Sequence, residues 1–128
     1  MHPSSYTNME IALGMCNLGK DLDIIDIGGR ALKLENNSID LVLSGQVLEH
    51  VDNPFKLVEE CKRVLKPGCF MIHIAPSEKG RWHDNPDNWR FGRDAWKAIT
   101  KDVGGLKITG DWIDQSSLEQ RSRQWADH

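Results

Sequence analysis

No apolar run in the sequence approaches the roughly 20 residues that a membrane span requires; stretches such as Cys69–Ile72 end after a few positions. The opening residues, Met1-His2-Pro3-Ser4-Ser5-Tyr6, lack the basic start and apolar run of a signal peptide. Both absences point to a cytoplasmic protein without membrane attachment. Neither sign of charge dominates, with 16 Lys plus Arg against 19 Asp plus Glu and a net charge of −3. A chain so balanced has no electrostatic footprint for nucleic acid or an anionic membrane. The three cysteines, Cys16, Cys61 and Cys69, are odd in number and lack Cys-x-x-Cys spacing. That excludes a zinc ribbon or a dithiol redox centre and leaves reduced, mostly buried thiols as the expectation. Repeats and low-complexity segments are absent, and 128 residues suit a single domain over 1–128.

What is present is an alternation of periods. Met9, Ala12, Leu13 and Cys16 recur at helical spacing within Tyr6–Leu18, after possible caps at Ser4 or Ser5. Leu22–Ile27 reads as a strand stopped by Gly28-Gly29, and Ile39–Ser44 as a strand buried on both faces. Asp52 or Asn53 caps a helix with Pro54 at its first position, apolar stripe Leu57, Val58, Cys61, Val64 and Leu65, and stop Lys66-Pro67-Gly68. Cys69–Ala75 predicts a third buried strand, Arg93–Val103 a helix ended by Gly104-Gly105, and Leu106–Ile113 a last strand. Strands alternating with helices define βαβ units, so the expected fold is α/β, with about four mostly parallel strands flanked by helices. In such sheets ligands sit beyond the carboxyl ends of the strands. Chemistry is therefore expected in Gly28–Arg30, Gly45–His50 and Pro76–Trp89.

Glu35-Asn-Asn-Ser-Ile-Asp-Leu-Val-Leu-Ser-Gly-Gln-Val-Leu-Glu-His-Val51, followed by Glu60-Cys-Lys-Arg-Val-Leu-Lys-Pro-Gly68, resembles the middle of class I S-adenosylmethionine-dependent methyltransferases of the type 11 kind. The elements of the match are a strand ending in Asp-x-Val, a Glu-His turn, and a helix closing on Arg-Val-Leu-Lys-Pro-Gly. Ala75-Pro-Ser77, His83, Pro86, Trp89-Arg-Phe91 and Asp94 resemble one subgroup, often associated with surface-polysaccharide or natural-product gene clusters. The resemblance implies a truncated Rossmann-like sheet, S-adenosylmethionine as cofactor, and a small-molecule or glycan-type acceptor.

The sequence departs from the family in its glycine-rich loop. Asp40 follows Asp26 by only fourteen positions, too few for the second strand, helix and third strand of the family. Asp26-Ile-Gly-Gly29 is either a shortened glycine-rich loop or the segment before the family's fourth strand. Arg30-Ala31-Leu32-Lys33-Leu34 fits the second register better, where members carry Asp-Ala-x-x-Leu along the adenine. Both sheet edges look trimmed, since Trp125-Ala-Asp127 resembles only the run-in to the family's last antiparallel strand. The apolar edge left at Ile24–Ile27 invites pairing with a second copy. On this reading the cofactor is lined by Asp26, Gly28, Gly29, Leu32 and Gln46. His50 and His83 are candidate bases, because imidazole titrates near neutrality. Gln46-Val-Leu-Glu49-His50 also resembles the Glu-x-x-Glu-His of members that hold a divalent metal, so Glu49, His50 and His83 are candidate ligands.

Gly28-Gly29 can be a tight turn, and Glu49 and His50 can be packing groups. His73, inside an apolar strand, reads as a satisfied core histidine. Trp82, Trp89 and Trp96 read as core or lid, and Glu59, Glu60, Lys62 and Arg63 as a solvated helix face. A catalytically inactive methyltransferase-like binding module is the competing function.

Overall fold

The computed structural model describes residues 3–16, 18–19, 21–28, 33–77, 86–114 and 121–127. Helix α1 (Pro3–Met15) is followed by strands β1 (Ile24–Asp26) and β2 (Ile39–Gly45) and a single 3₁₀ turn, Leu48–His50. Then come helix α2 (Pro54–Val64), strand β3 (Leu65–Pro76), helix α3 (Ala95–Val103), and strands β4 (Lys107–Asp114) and β5 (Arg121–Asp127). The sheet order is β1-β2-β3-β5-β4. β1, β2 and β3 pair in parallel, and β5 lies antiparallel between β3 and β4. Four strands thus share one direction, as the alternation requires, and a fifth runs against them. The sequence reading stopped short of that fifth strand. Residues 121–127 form a complete strand paired on both sides, not a run-in.

The two faces of the sheet are separated by strand alternation. On β2, Val42 faces the cluster built from α2 and α3 with Met71, Ala75, Phe91, Trp96 and Ile99. Leu41 faces the opposite way, packing with Ile72 and Ile74 on β3, with Met9 and Ala12 of α1 and with Cys16 just after it. The result is a sheet with helices on both faces. The apolar stripe of α2 is buried as its spacing predicts, through Leu57, Val58, Cys61 and Val64. Asn53, rather than Asp52, caps this helix, its side chain accepting from the Lys56 amide at 3.2 Å. Ser4 and Ser5 lie inside α1, which begins at Pro3, so they are not its caps.

Several boundaries shift for identifiable reasons. β3 starts at Leu65 because Ile39 already pairs with Leu65, after which an irregularity brings Leu41 opposite Phe70. Pro67 and Gly68 sit within that irregularity, Gly68 at φ 81. The connection from β1 to β2 is fastened to the end of α2. Arg63 donates to the Leu34 carbonyl and to Asn36, and the amides of Asn37 and Ser38 bond to the carbonyls of Arg63 and Val64. Lys62 reaches the Gly104 carbonyl at 2.7 Å. Lys62 and Arg63 are therefore clamps between elements, not merely a solvated face. No helix among the described residues is long and apolar enough to cross a membrane.

Candidate active site

The carboxyl ends of β1, β2 and β3 come together at one end of the sheet. Asp26 pairs with Leu43, and the Ile27 amide continues the ladder by bonding to the Leu43 carbonyl at 2.9 Å. Carried two residues further, this register sets Gly28 level with Gly45, immediately before Gln46. A Cβ at Gly28 would meet nothing within 4 Å, so the backbone there borders open space. Gln46 adopts φ 59, the left-handed region that few residues tolerate. Its amide is held by the Ile74 carbonyl at 2.8 Å. This bend turns the chain out of β2 into the Leu48–His50 turn.

Pro86–Phe91 forms a strap across that turn. The amides of Asn88 and Trp89 both donate to the Glu49 carbonyl, at 2.7 and 3.1 Å. Asn88 Nδ2 and Trp89 Nε1 both donate to the Val51 carbonyl, at 3.2 and 2.9 Å. His50 Nδ1 donates to the Pro86 carbonyl at 2.6 Å. With Nδ1 carrying the proton, the neutral imidazole presents its lone pair at Nε2. The strap is braced by Asp87 and Arg90, paired by two hydrogen bonds with side chains only 4% and 10% exposed.

Glu49 lies beneath this strap with a fully buried side chain, and neither carboxyl oxygen has a hydrogen-bond donor from another residue. The nearest ionisable partner is His50 Nε2 at 3.8 Å. Burial raises the Glu49 pKa above the ordinary carboxyl range, opposed first by a hydrogen bond from its own backbone amide and more weakly by the neighbouring positive charge of Arg90. Deeper in the core, His73 is a satisfied histidine as its apolar setting predicts. It receives the Ser44 hydroxyl at Nδ1 and lies parallel to Trp96 with 6.3 Å between ring centroids. Trp96 is core, stacked on Phe91 at 5.1 Å, whereas Trp89 is 39% exposed.

The structure thus brings Asp26, Gly28 and Gln46 to adjacent strand ends and sets Glu49 and His50 beside them. Gly29, Leu32, His83 and Trp82 lie outside the described residues. The metal reading gains no support. Among the described residues no group of three or more His, Cys, Asp or Glu side chains could hold an ion, and His50 Nδ1 is already spent on Pro86. Sequence reasoning missed Asp87 and the carbonyls of Pro86 and Val51. Asp87 was detectable as the i,i+3 partner of Arg90. The carbonyls carry no sequence signal because any residue supplies one.

Residues 2–73 match the methyltransferase domain family, and the chain belongs to it. An uncharacterized methyltransferase of Mycobacteroides abscessus is 52% identical over 44 residues, covering 34% of this chain and 17% of that protein. The chain spans 17% and 24% of the length of two of the mycobacterial relatives it matches. Among solved structures, it superposes on a chain of the complex between the Haloferax volcanii Trm112 methyltransferase activator and a methyltransferase. That match has a TM-score of 0.73 and 14% identity, covering 98% of this chain and 91% of the other. The trans-methyltransferase CalH in complex with S-adenosylhomocysteine gives a TM-score of 0.60 at 14% identity, over 74% of this chain and 31% of CalH. At these identities the structural likeness establishes the fold.

The strand ends fit the cofactor of this family in placement. Gly28 leaves room where a side chain would intrude, and the bend at Gln46 turns the chain aside beyond β2. Asp26 and Gln46 stand at the ends of β1 and β2, next to Gly28 and Gly45.

Proposed function

We propose that the chain carries out S-adenosylmethionine-dependent methyl transfer to a small-molecule or glycan-type acceptor. The observation that carries this reading is the pair of parallel strand ends, Asp26–Gly28 and Gly45–Gln46, opening beside a histidine whose tautomer is fixed. S-adenosylmethionine bound there would supply a methyl group on a sulfonium centre, open to in-line displacement. Asp26, Gly28, Gly29, Leu32 and Gln46 are assigned to lining it, with Gly28 admitting close backbone approach. His50 accepts the acceptor's proton at Nε2, because Nδ1 is committed to Pro86. His83 is assigned as a second base. Exclusion of water and alignment of the acceptor supply most of the remaining catalysis.

Isothermal titration with S-adenosylhomocysteine tests the reading. Saturable binding that Gly28→Val weakens about tenfold or more is expected, from the bulk placed against the ligand. A folded sample that takes up none would overturn it. We further propose that two copies pair along β1. Among the described residues that strand has a neighbour on one side only, and Ile24 is 51% exposed on it. Light scattering at micromolar concentration should return a dimeric mass, and a monomeric one would remove this proposal.

A further inference from the structure

The seam between the Leu48–His50 turn and the Pro86–Phe91 strap is lined by hydrogen-bond donors that are already engaged. Arg90 directs Nη1 and Nη2 at the Asp87 carboxylate and Nη1 also at the Trp89 carbonyl. Asn88 Nδ2 and Trp89 Nε1 both end on the Val51 carbonyl, and His50 Nδ1 on that of Pro86. The Glu49 carboxyl group lies against this arrangement, fully buried, and neither of its oxygens receives a hydrogen bond from another residue. Buried polar groups are almost always paired, and one left alone calls for an explanation. With the donors around Glu49 spent, its oxygens are open to a donor that a ligand brings.

Trp89 supplies the second half of the argument. Its indole N–H and its amide are both tied to the turn, which immobilises the ring, yet the residue remains 39% exposed. An indole anchored at its polar atom offers its apolar ring surface. A rigid aromatic face is an economical platform for a second ring, because little side-chain freedom is lost on stacking.

We infer that this seam is the acceptor subsite and that it takes a ring bearing a hydroxyl group, stacked on Trp89 with its O–H donated to Glu49. The inference rests on the methyl-transfer reading only in naming the ligand the acceptor. A neutral hydroxyl suits the seam better than an ammonium group, which would have to be stripped of far more water to reach a fully buried carboxyl. Entry to the buried carboxyl requires the strap to part from the turn and its bonds to the Glu49 and Val51 carbonyls to re-form around the bound ring. His50 Nε2, 3.8 Å from Glu49 Oε2, then lies close to the same hydroxyl. Glu49 is a hydrogen-bonding anchor in this arrangement, and Trp89 sets the specificity for rings. Phenols and sugars share the required chemistry, and the experiment separates them.

The test is a titration of tryptophan-15N-labelled protein with catechol and, separately, with methyl glucoside. Trp89 Nε1–H is identified by its loss in Trp89→Phe. Saturable movement of that resonance with either ring supports the subsite and tells which source it prefers. Glu49→Gln keeps an acceptor oxygen but not the carboxylate charge, and should then weaken binding about tenfold, the difference between a charge-assisted and a neutral hydrogen bond. Trp89→Ala should abolish binding, and Trp89→Phe should retain it within a few-fold. The Trp89 variants leave the Glu49 carboxyl intact, so they report even if Glu49→Gln folds poorly. Failure of both rings to move Trp89, or equal affinity in Glu49→Gln, overturns the inference. S-adenosylhomocysteine added to the same sample keeps the two readings apart. Its binding without ring binding removes only the subsite, and ring binding without it removes only the methyl-transfer reading.

Discussion

Ser44 and His73 stand opposite each other on β2 and β3, and the Ser44 hydroxyl donates to His73 Nδ1 at 2.5 Å. On its other side the imidazole donates from Nε2 to the Met71 sulfur at 3.1 Å. This arrangement satisfies a neutral ring, and among the described residues no carboxylate is paired with it to stabilise a second proton. Burial accordingly pulls the His73 pKa from 6.5 down to about 4. Below pH 6.5 the unfolded chain takes up a proton that the folded chain refuses until about pH 4. His73 therefore contributes stability that is complete above pH 6.5 and is lost as the pH falls to about 4, a total of about 3 kcal/mol. Urea midpoints at pH 7 and pH 4 check this. His73→Leu should show a smaller fall than the parent, and an identical fall in both would contradict the assignment.

Glu49 has the opposite sign. Burial raises its carboxyl pKa above the ordinary 4.5, so the folded chain holds a proton that the unfolded chain has released. Its contribution is present at low pH and is lost as the pH rises through and beyond 4.5. Glu49→Gln should match the parent near pH 4 and be more stable than it at pH 8. Denaturation curves at the two values measure the difference.

The Asp87–Arg90 pair braces the strap with both side chains nearly out of solvent. Arg90→Ala removes a two-bond partner from a nearly buried carboxylate and is expected to destabilise the fold by about 3 kcal/mol. The double variant Asp87→Ala/Arg90→Ala should recover part of that loss. A thermal-melt double-mutant cycle would then give a coupling of about 1–3 kcal/mol, whereas simple additivity would show the pair to be idle.

Two substitutions address the ends of α2. Asn53→Ala removes the side-chain acceptor for the Lys56 amide and should cost about 1 kcal/mol. Gly68→Ala meets no neighbouring atom within 4 Å but forces a side chain onto φ +81, at about 1–2 kcal/mol. Equal urea midpoints in parent and variant would refute either assignment.

The elements read most accurately from sequence were those whose burial repeats at a fixed period. The stripe Leu57, Val58, Cys61 and Val64, and the doubly buried run of β2, follow directly from side-chain spacing. β5 escaped because Arg121-Ser-Arg-Gln-Trp-Ala-Asp127 shows neither an apolar run nor strict alternation, and its place is determined by ladder bonds to β3 and β4. The site was legible to the extent that it is chemical. Glu49 and His50 stand out as residue types, but the strap that tethers them works through the carbonyls of Glu49, Val51 and Pro86. Backbone acceptors are common to every residue, so only the fold reveals which of them matter.

The position of β5 constrains the order in which the molecule can assemble. Among the described residues β4 touches the rest of the sheet only through β5, since the order β3-β5-β4 gives it no other strand neighbour there. On a growing chain β4 is therefore made before the strand that anchors it exists. The sheet β1-β2-β3 can form early, while Lys107–Asp114 waits for Arg121–Asp127 to insert beside β3 and complete both remaining ladders in one step. Two seams closing together, one of them spanning some fifty residues of sequence, is the kind of long-range event that slows folding. A nascent chain halted before residue 121 would expose one bare edge on β3 and another on β4.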